Sequence, residues 1–313
     1  MFTPEMMLGV LIAAILSASS AIAVMLSWRT RLATGGLSPT LTNLNSRIVA
    51  WWGMAAIMGL VLWSGQTALV LIFAFISFLA LREFLALTDT RPADHLALVA
   101  LFYILLPGQF WLVWSGWQSM QFIYIPAFGL MTLTALSALR GDPDDYLERV
   151  SRLNWAALAC IFAVSHVPAL AGLDVIGHSA SPILLVSFLL IVTSASDVLQ
   201  YICGKLWGRR QMSPQISPNK TVEGLIGGCL GATAVGAALW WITPFTPVQA
   251  VGMAALISGA GVLGGLVMSA IKRQHGIKDW GTLLPGHGGI LDRIDSLIFA
   301  APVFYHATRY WFT

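Results

Sequence analysis

Residues 182–203 read PILLVSFLLIVTSASDVLQYIC, and residues 204–210 read GKLWGRR. The first run is as long as the roughly 20 apolar residues a helix needs to cross ~30 Å of hydrocarbon. Lys205, Arg209 and Arg210 follow it, which is how a helix ends on the cytoplasmic side. One charged residue, Asp197, lies inside the run, about two helical turns before Lys205. A carboxylate at that depth is costly and requires a partner or a function. Asp197, Gln200 and Tyr201 fall at i, i+3 and i+4, on one helical face.

The rest of the chain repeats this pattern. Of 313 residues, 57% are hydrophobic and 10% charged, against about 25% charged in a soluble domain. Comparable apolar stretches lie near 6–28, 48–64, 67–87, 95–115, 119–139, 154–173, 223–243, 247–271 and 289–312. The expected fold is an all-α polytopic integral membrane protein of about 9–10 transmembrane helices. Sequence character divides it at about residue 180, with apolar helices and short loops before and the polar segments, at 181–313, after.

The 17 Lys and Arg residues set the expected orientation. Arg29, Arg31 and Arg47 are placed in the first loop, and the others gather near 82–91, 140–152, 205–220 and 272–293, with Arg309 the outlier. The intervening loops near 65–66, 115–118, 174–181 and 244–247 hold no Lys or Arg. By the positive-inside rule every second loop is cytoplasmic and the N-terminus is outside. The first apolar stretch has arginines only after it, the wrong polarity for a cleaved signal peptide, and reads as a retained helix. The formal charge of +3 fits a positive-inside membrane protein and gives no argument for nucleic acid. Cys160, Cys203 and Cys229 sit in apolar spans at spacings that suit no metal, and read as small hydrophobes. In LRGDPDDYLERVSRLN (139–154), Asp142, Asp144, Asp145 and Glu148 read as a solvated connection. Arg82 and Glu83, at a cytoplasmic helix end, read as structural.

Two further polar segments lie beyond Asp197. In SPQISPNKTVEGLIGG (213–228), Ser217 with Pro218 after it reads as a helix N-cap. That helix would carry Lys220, Thr221 and Glu223, with Lys220 forming an anion site at the helix N-terminus. Gly224, Gly227, Gly228 and Gly231 permit close helix packing. The third segment, SAIKRQHGIKDWGTLLPGHGGILDRIDS (269–296), collects Lys272, Arg273, Lys278 and Asp279 before a Pro-Gly-His-Gly-Gly turn. Gly288 and Gly289 let backbone amides approach an anion, and His287 between the glycines of the turn supplies a donor. Asp292 and Asp295 follow at i and i+3, and two carboxylates so placed repel unless a cation lies between them. Hard oxygen ligands beside phosphate-binding groups suit Mg²⁺, with room for a second cation. By the charge rule all three segments face the cytoplasm, where nucleotides are found.

This third segment resembles the signature of the phosphatidate cytidylyltransferases, also called CDP-diacylglycerol synthases. The resemblance rests on Ser269, Lys272-Arg273, Lys278-Asp279, Gly281, Leu284-Pro285, His287-Gly288-Gly289 and Asp292-Arg293-x-Asp295. SPNKTVEG (217–224) and DVLQY…GKLWGRR (197–210) resemble two further family motifs, so roughly the last 120 residues carry it. It implies transfer of CMP from CTP to phosphatidic acid, giving CDP-diacylglycerol and pyrophosphate, and it leaves room for a homodimer; a compact polytopic chain with short loops suggests a bacterial inner membrane. The resemblance implies that Asp279, Asp292 and Asp295 hold the catalytic cations, with Asp197 a further ligand. Lys220, Lys272, Arg273, Lys278 and Arg293 would bind the triphosphate and the lipid phosphate, with Ser217, Thr221, Glu223 and Tyr201 lining the substrate site. His287, Gly288 and Gly289 would stabilise the transferring or leaving group. One departure is that Val198, Leu199 and Gln200 stand where the family usually has a small hydroxyl residue and then Ala before the aromatic. A CTP-dependent transferase or kinase acting on another lipid phosphate or on an isoprenoid alcohol is the neighbouring reading. A transporter would show two similar halves and charge at mid-membrane, and a lipid-binding scaffold would not need the acids.

Overall fold

The computed structural model describes residues 3–34, 39–88, 90–175, 182–281 and 288–313. The protein is an all-α polytopic membrane protein. Among the described residues seven helices are long and apolar enough to cross a membrane. Two shorter helices, the apolar Val222–Ala238 and Leu297–Phe312, have 17 and 16 residues.

Contacts divide the chain into two units, Met1–Gly65 and Gln66–Thr313. In the first, the helix Pro4–Thr34 runs beside the front of the helix Pro39–Ala86. Polar side chains fasten the two: Trp52 Nε1 donates to Ser20 Oγ (3.0 Å), and Asn45 Nδ2 donates to Ser27 Oγ (3.2 Å). The first helix continues past its apolar stretch, so Arg29 and Arg31 lie on it rather than in the loop that follows. Arginine is a good helix former, and its long stem lets the charge reach water while the backbone stays helical. Gly65 interrupts the second helix with φ 79° and ψ −167°, a conformation only glycine adopts readily.

The second unit contains the helices Pro92–Ser115, Gln118–Ala138, Tyr146–Leu170, Ile183–Trp207 and Pro247–Gln274. Thr246 and Gln249 start the last of these with a reciprocal capping box, and Pro247 sits in its first turn. The 139–154 connection is tied down rather than simply solvated. Arg149 pairs with Asp94 (3.2 Å) and donates to the carbonyls of Asp142 (3.0 Å) and Asp144, while Arg91 pairs with Asp145 (2.8 Å). Asp94 and Arg149 are buried, so each supplies the counter-charge the other needs there.

Val222–Ala238 packs against Ile183–Trp207 through the glycines singled out above. A Cβ on Gly228 would lie 2.2 Å from Gln200 Cγ and 2.7 Å from its backbone nitrogen. Cβ atoms on Gly227 and Gly231 would meet Cys203 Sγ at 2.7 Å and Leu199 Cδ1 at 2.6 Å. Close packing is thus what these glycines do, and Gln200 belongs to that helix interface. We expect Gly228→Ala to destabilise the folded protein by about 2 kcal/mol through overpacking. Thermal unfolding in detergent would read this, and an unchanged midpoint would contradict the close approach.

Candidate active site

The hairpin that leads into the site differs from the sequence expectation. Ser217–Thr221 forms a strand antiparallel to Gln211–Ser213, and the helix starts only at Val222. Ser217 is therefore not the N-cap. The cap is Thr221, whose Oγ1 accepts from Gly224 N at 3.0 Å. The residue before a proline is biased to extended geometry, which keeps Ser217 in a strand once Gln211–Ser213 supplies a partner. Glu223 Oε2 accepts the amides of Arg209 (3.0 Å) and Arg210 (3.1 Å), so it fixes the entry to the hairpin. Arg273 Nε donates to Ile216 O (3.1 Å) in the hairpin turn, and its guanidinium also donates to Ile277 O (3.0 Å).

The hairpin delivers Lys220 to the Pro247–Gln274 helix. A Cβ on Gly265 would sit 3.0 Å from Lys220 Nζ, 3.7 Å from Ser296 Oγ and 4.0 Å from Asp295 Oδ2. Glycine at 265 leaves the space that the ammonium occupies. Gly264 does the same for the backbone, since its Cβ would lie 2.7 Å from Asp295 O.

Two carboxylates meet there across one hydroxyl. Ser296 Oγ lies 3.2 and 3.1 Å from the two oxygens of Asp197, and 3.4 Å from Asp295 Oδ1. Ser296 N donates to Asp295 Oδ1 at 2.7 Å. Asp197 comes from the Ile183–Trp207 helix, and Asp295 and Ser296 from the turn before Leu297–Phe312. Lys220 and Arg293 act electrostatically on Asp197, and Lys220 and Lys272 on Asp295. Two carboxylates this close repel one another, so positive charge placed beside them would stabilise the pair.

Asp292 is used differently. Its Oδ1 accepts from Lys272 Nζ (2.8 Å), and its Oδ2 accepts the amides of Trp280 (2.8 Å) and Gly289 (2.9 Å). The amide of Gly289, read above as an anion donor, is thus engaged by the protein's own carboxylate. Gly288 has φ +79°, and a Cβ there would lie 2.7 Å from Asp292 Oδ2. Asp292 organises the turn, and Lys272 balances its charge.

Of the other expected residues, Lys278, Asp279 and Arg293 are exposed, with Asp279 Cβ 3.5 Å from the point a Gly288 Cβ would occupy. Tyr201 is exposed, with Lys205 Nζ 5.9 Å from its ring centre, while Gln200 Nε2 donates to Ser196 Oγ (2.9 Å). The shared helical face read for Asp197, Gln200 and Tyr201 therefore does not converge on one centre. The neighbouring helix takes up Gln200. His287 lies outside the described residues. Among the described residues no three His, Cys, Asp or Glu side chains form a ready cage for a metal.

Two residues of this centre were not assigned to it from the sequence. Ser296 directly follows the DRID run, and its hydroxyl beside two acids was the available signal. Glu83 accepts the amides of Ile290 and Leu291, both at 2.9 Å, from 207 positions away along the chain. No spacing rule reaches that far.

The sequence also has relatives among known proteins. Residues 45–311 match the family model described as the cytidylyltransferase family. A protein of Escherichia coli (strain K12), named uncharacterized protein YnbB, is 38% identical over 91% of this chain and 92% of its own length. The phosphatidate cytidylyltransferase of Bacillus subtilis (strain 168) is 32% identical over 67% of this chain and 76% of its own. That of Staphylococcus saprophyticus is 30% identical over 78% of this chain and 90% of its own. An integral membrane chain with this polar centre, matched through most of its length, belongs to the cytidylyltransferase family.

Proposed function

We propose that this nucleotidyltransferase moves CMP from CTP to phosphatidic acid. A phosphate oxygen of the lipid attacks the α-phosphorus of CTP, the bond to the β-phosphate oxygen breaks, and pyrophosphate leaves. CDP-diacylglycerol is the lipid product. The observation that carries the reading is the Asp197–Ser296–Asp295 centre with Lys220 near it, in a chain two of whose relatives reported above bear this activity in their names.

The donor set fits Mg²⁺. It offers carboxylate and hydroxyl oxygens without thiols, and Mg²⁺ takes only one or two carboxylates and completes its shell with water and substrate phosphate. Asp197 and Asp295 would hold it, with the exposed Asp279 a further ligand and a second cation accommodated by the substrate. When bound, Mg²⁺ neutralises charge on the phosphates. Lys220 would bind the triphosphate, and the exposed Lys278 and Arg293 would meet incoming anions. Asp292 and Lys272 hold the turn, and Arg273 and Glu223 hold the hairpin. Catalysis is then positioning and charge compensation, as in phosphoryl transfer generally. The basic loops suggest a cytoplasm-facing centre in a bacterial inner membrane.

Detergent-purified protein incubated with labelled CTP, Mg²⁺ and phosphatidic acid is expected to yield lipid-extractable cytidine label and an equal amount of pyrophosphate. Folded protein that binds CTP but labels other lipid phosphates and not phosphatidic acid would replace the acceptor in this reading.

A further inference from the structure

We infer that Glu83 is a positioning residue for the catalytic turn, an inference that rests on the cytidylyltransferase reading above. Glu83 stands near the end of the Pro39–Ala86 helix, far in sequence from every motif of the site. Its two carboxylate oxygens each take one amide of the Leu291–Ile294 turn, Ile290 N on Oε1 and Leu291 N on Oε2, both at 2.9 Å. The neighbouring residue, Phe84, stacks on Trp280 with ring centres 5.3 Å apart and planes inclined by 26°. Trp280 is buried, and its amide donates to Asp292. Two consecutive residues of one helix thus hold Trp280 and the start of the turn that bears Asp292 and Asp295.

The glycines around Glu83 support the same role. A Cβ on Gly281 would have the Glu83 carboxylate as its nearest neighbour at 3.0 Å, and one on Gly289 would lie 2.4 Å from Glu83 Oε2. At both positions all three nearest atoms belong to the Glu83 side chain. The backbone closes around this carboxylate from two directions, and glycine is what leaves room for it. A charged acceptor at the start of a turn also complements the unpaired amides there. A shift of the turn by an ångström would move Asp295 and Ser296 together away from Asp197, and misplacement on that scale can cost about a hundredfold in rate.

The test uses the full chain in detergent with Glu83→Gln and Glu83→Ala, measuring kcat and KM for CTP beside hydrogen exchange of the 288–295 amides. Expected are a kcat lowered about tenfold in Glu83→Gln and about a hundredfold in Glu83→Ala, with KM within threefold of wild type. Protection of the Ile290 and Leu291 amides should fall in both variants. Gly289→Ala is expected to be damaging alone and to add little in the Glu83→Ala background, because the atoms it strikes are gone. Wild-type kcat or unchanged exchange protection in the variants overturns the inference. So does a lowered KM with kcat intact, which would make Glu83 a stand-in for a substrate phosphate. Exchange protection is read without turnover, so it decides the matter even if wild type labels no lipid, and that result counts against the reaction proposed above.

Discussion

Asp197→Asn is expected to lower lipid labelling from CTP at least about a hundredfold while leaving the protein folded. The substitution keeps the side-chain shape and one oxygen for Ser296 Oγ, which lies within 3.2 Å of both carboxylate oxygens. It removes the charge that Lys220, Arg293 and the proposed Mg²⁺ respond to. Ser296→Ala keeps both charges and loses only the hydroxyl between them, so a smaller loss, about tenfold, is expected. The order of these effects is the informative part. Full turnover in Asp197→Asn, beside a wild type active with Mg²⁺ and inactive with excess chelator, would remove Asp197 from the catalytic centre. It would leave Asp197 as an interhelical hydrogen-bond partner of Ser296.

Lys272→Met is expected to destabilise the folded protein by about 3–5 kcal/mol, the cost of leaving a buried charge without its partner. Lys272 and Asp292 are both largely buried, and their contact is 2.8 Å. Asp292 keeps two backbone donors in the variant, Trp280 N and Gly289 N, which places the loss toward the lower end of that range. Asp292→Asn separates architecture from chemistry. If Asp292 only organises the turn, stability and activity fall together, and Lys272→Met/Asp292→Asn costs less than the sum of the single variants. A variant that keeps its unfolding midpoint and loses turnover would give Asp292 a direct part in the reaction. Thermal unfolding in detergent and the lipid-labelling assay, run on the same preparations, read both quantities.

The cluster of charge and glycine between Ser269 and Ser296 was legible as a candidate site because it contrasts with an apolar chain. Its internal division of labour was not. Asp292 and Asp295 look alike in DRID, yet one is spent on Lys272 and two amides and the other shares the Ser296 hydroxyl with Asp197. Helical spacing puts two residues on one face but does not choose between the neighbours that face contacts. Ser217 and Thr221 posed the same difficulty, since each has cap chemistry. The strand partner at Gln211–Ser213 settled which of them starts the helix. Gln200 looked like a departure inside a catalytic motif, and the adjacent helix turned out to take it up through Gly228.

By itself the sequence determined that the chain is a polytopic helical membrane protein and which three segments carry its polar chemistry. Both follow from the cost of placing charge and unpaired backbone in hydrocarbon, which is local and can be read residue by residue. Tertiary structure alone decided which acids share a centre, that Ser296 lies between them, and that Glu83 holds the turn from 207 positions away. Those outcomes depend on how helices distant in sequence pack, and on where glycine leaves room for a lysine or a carboxylate. No periodicity within one segment encodes such contacts.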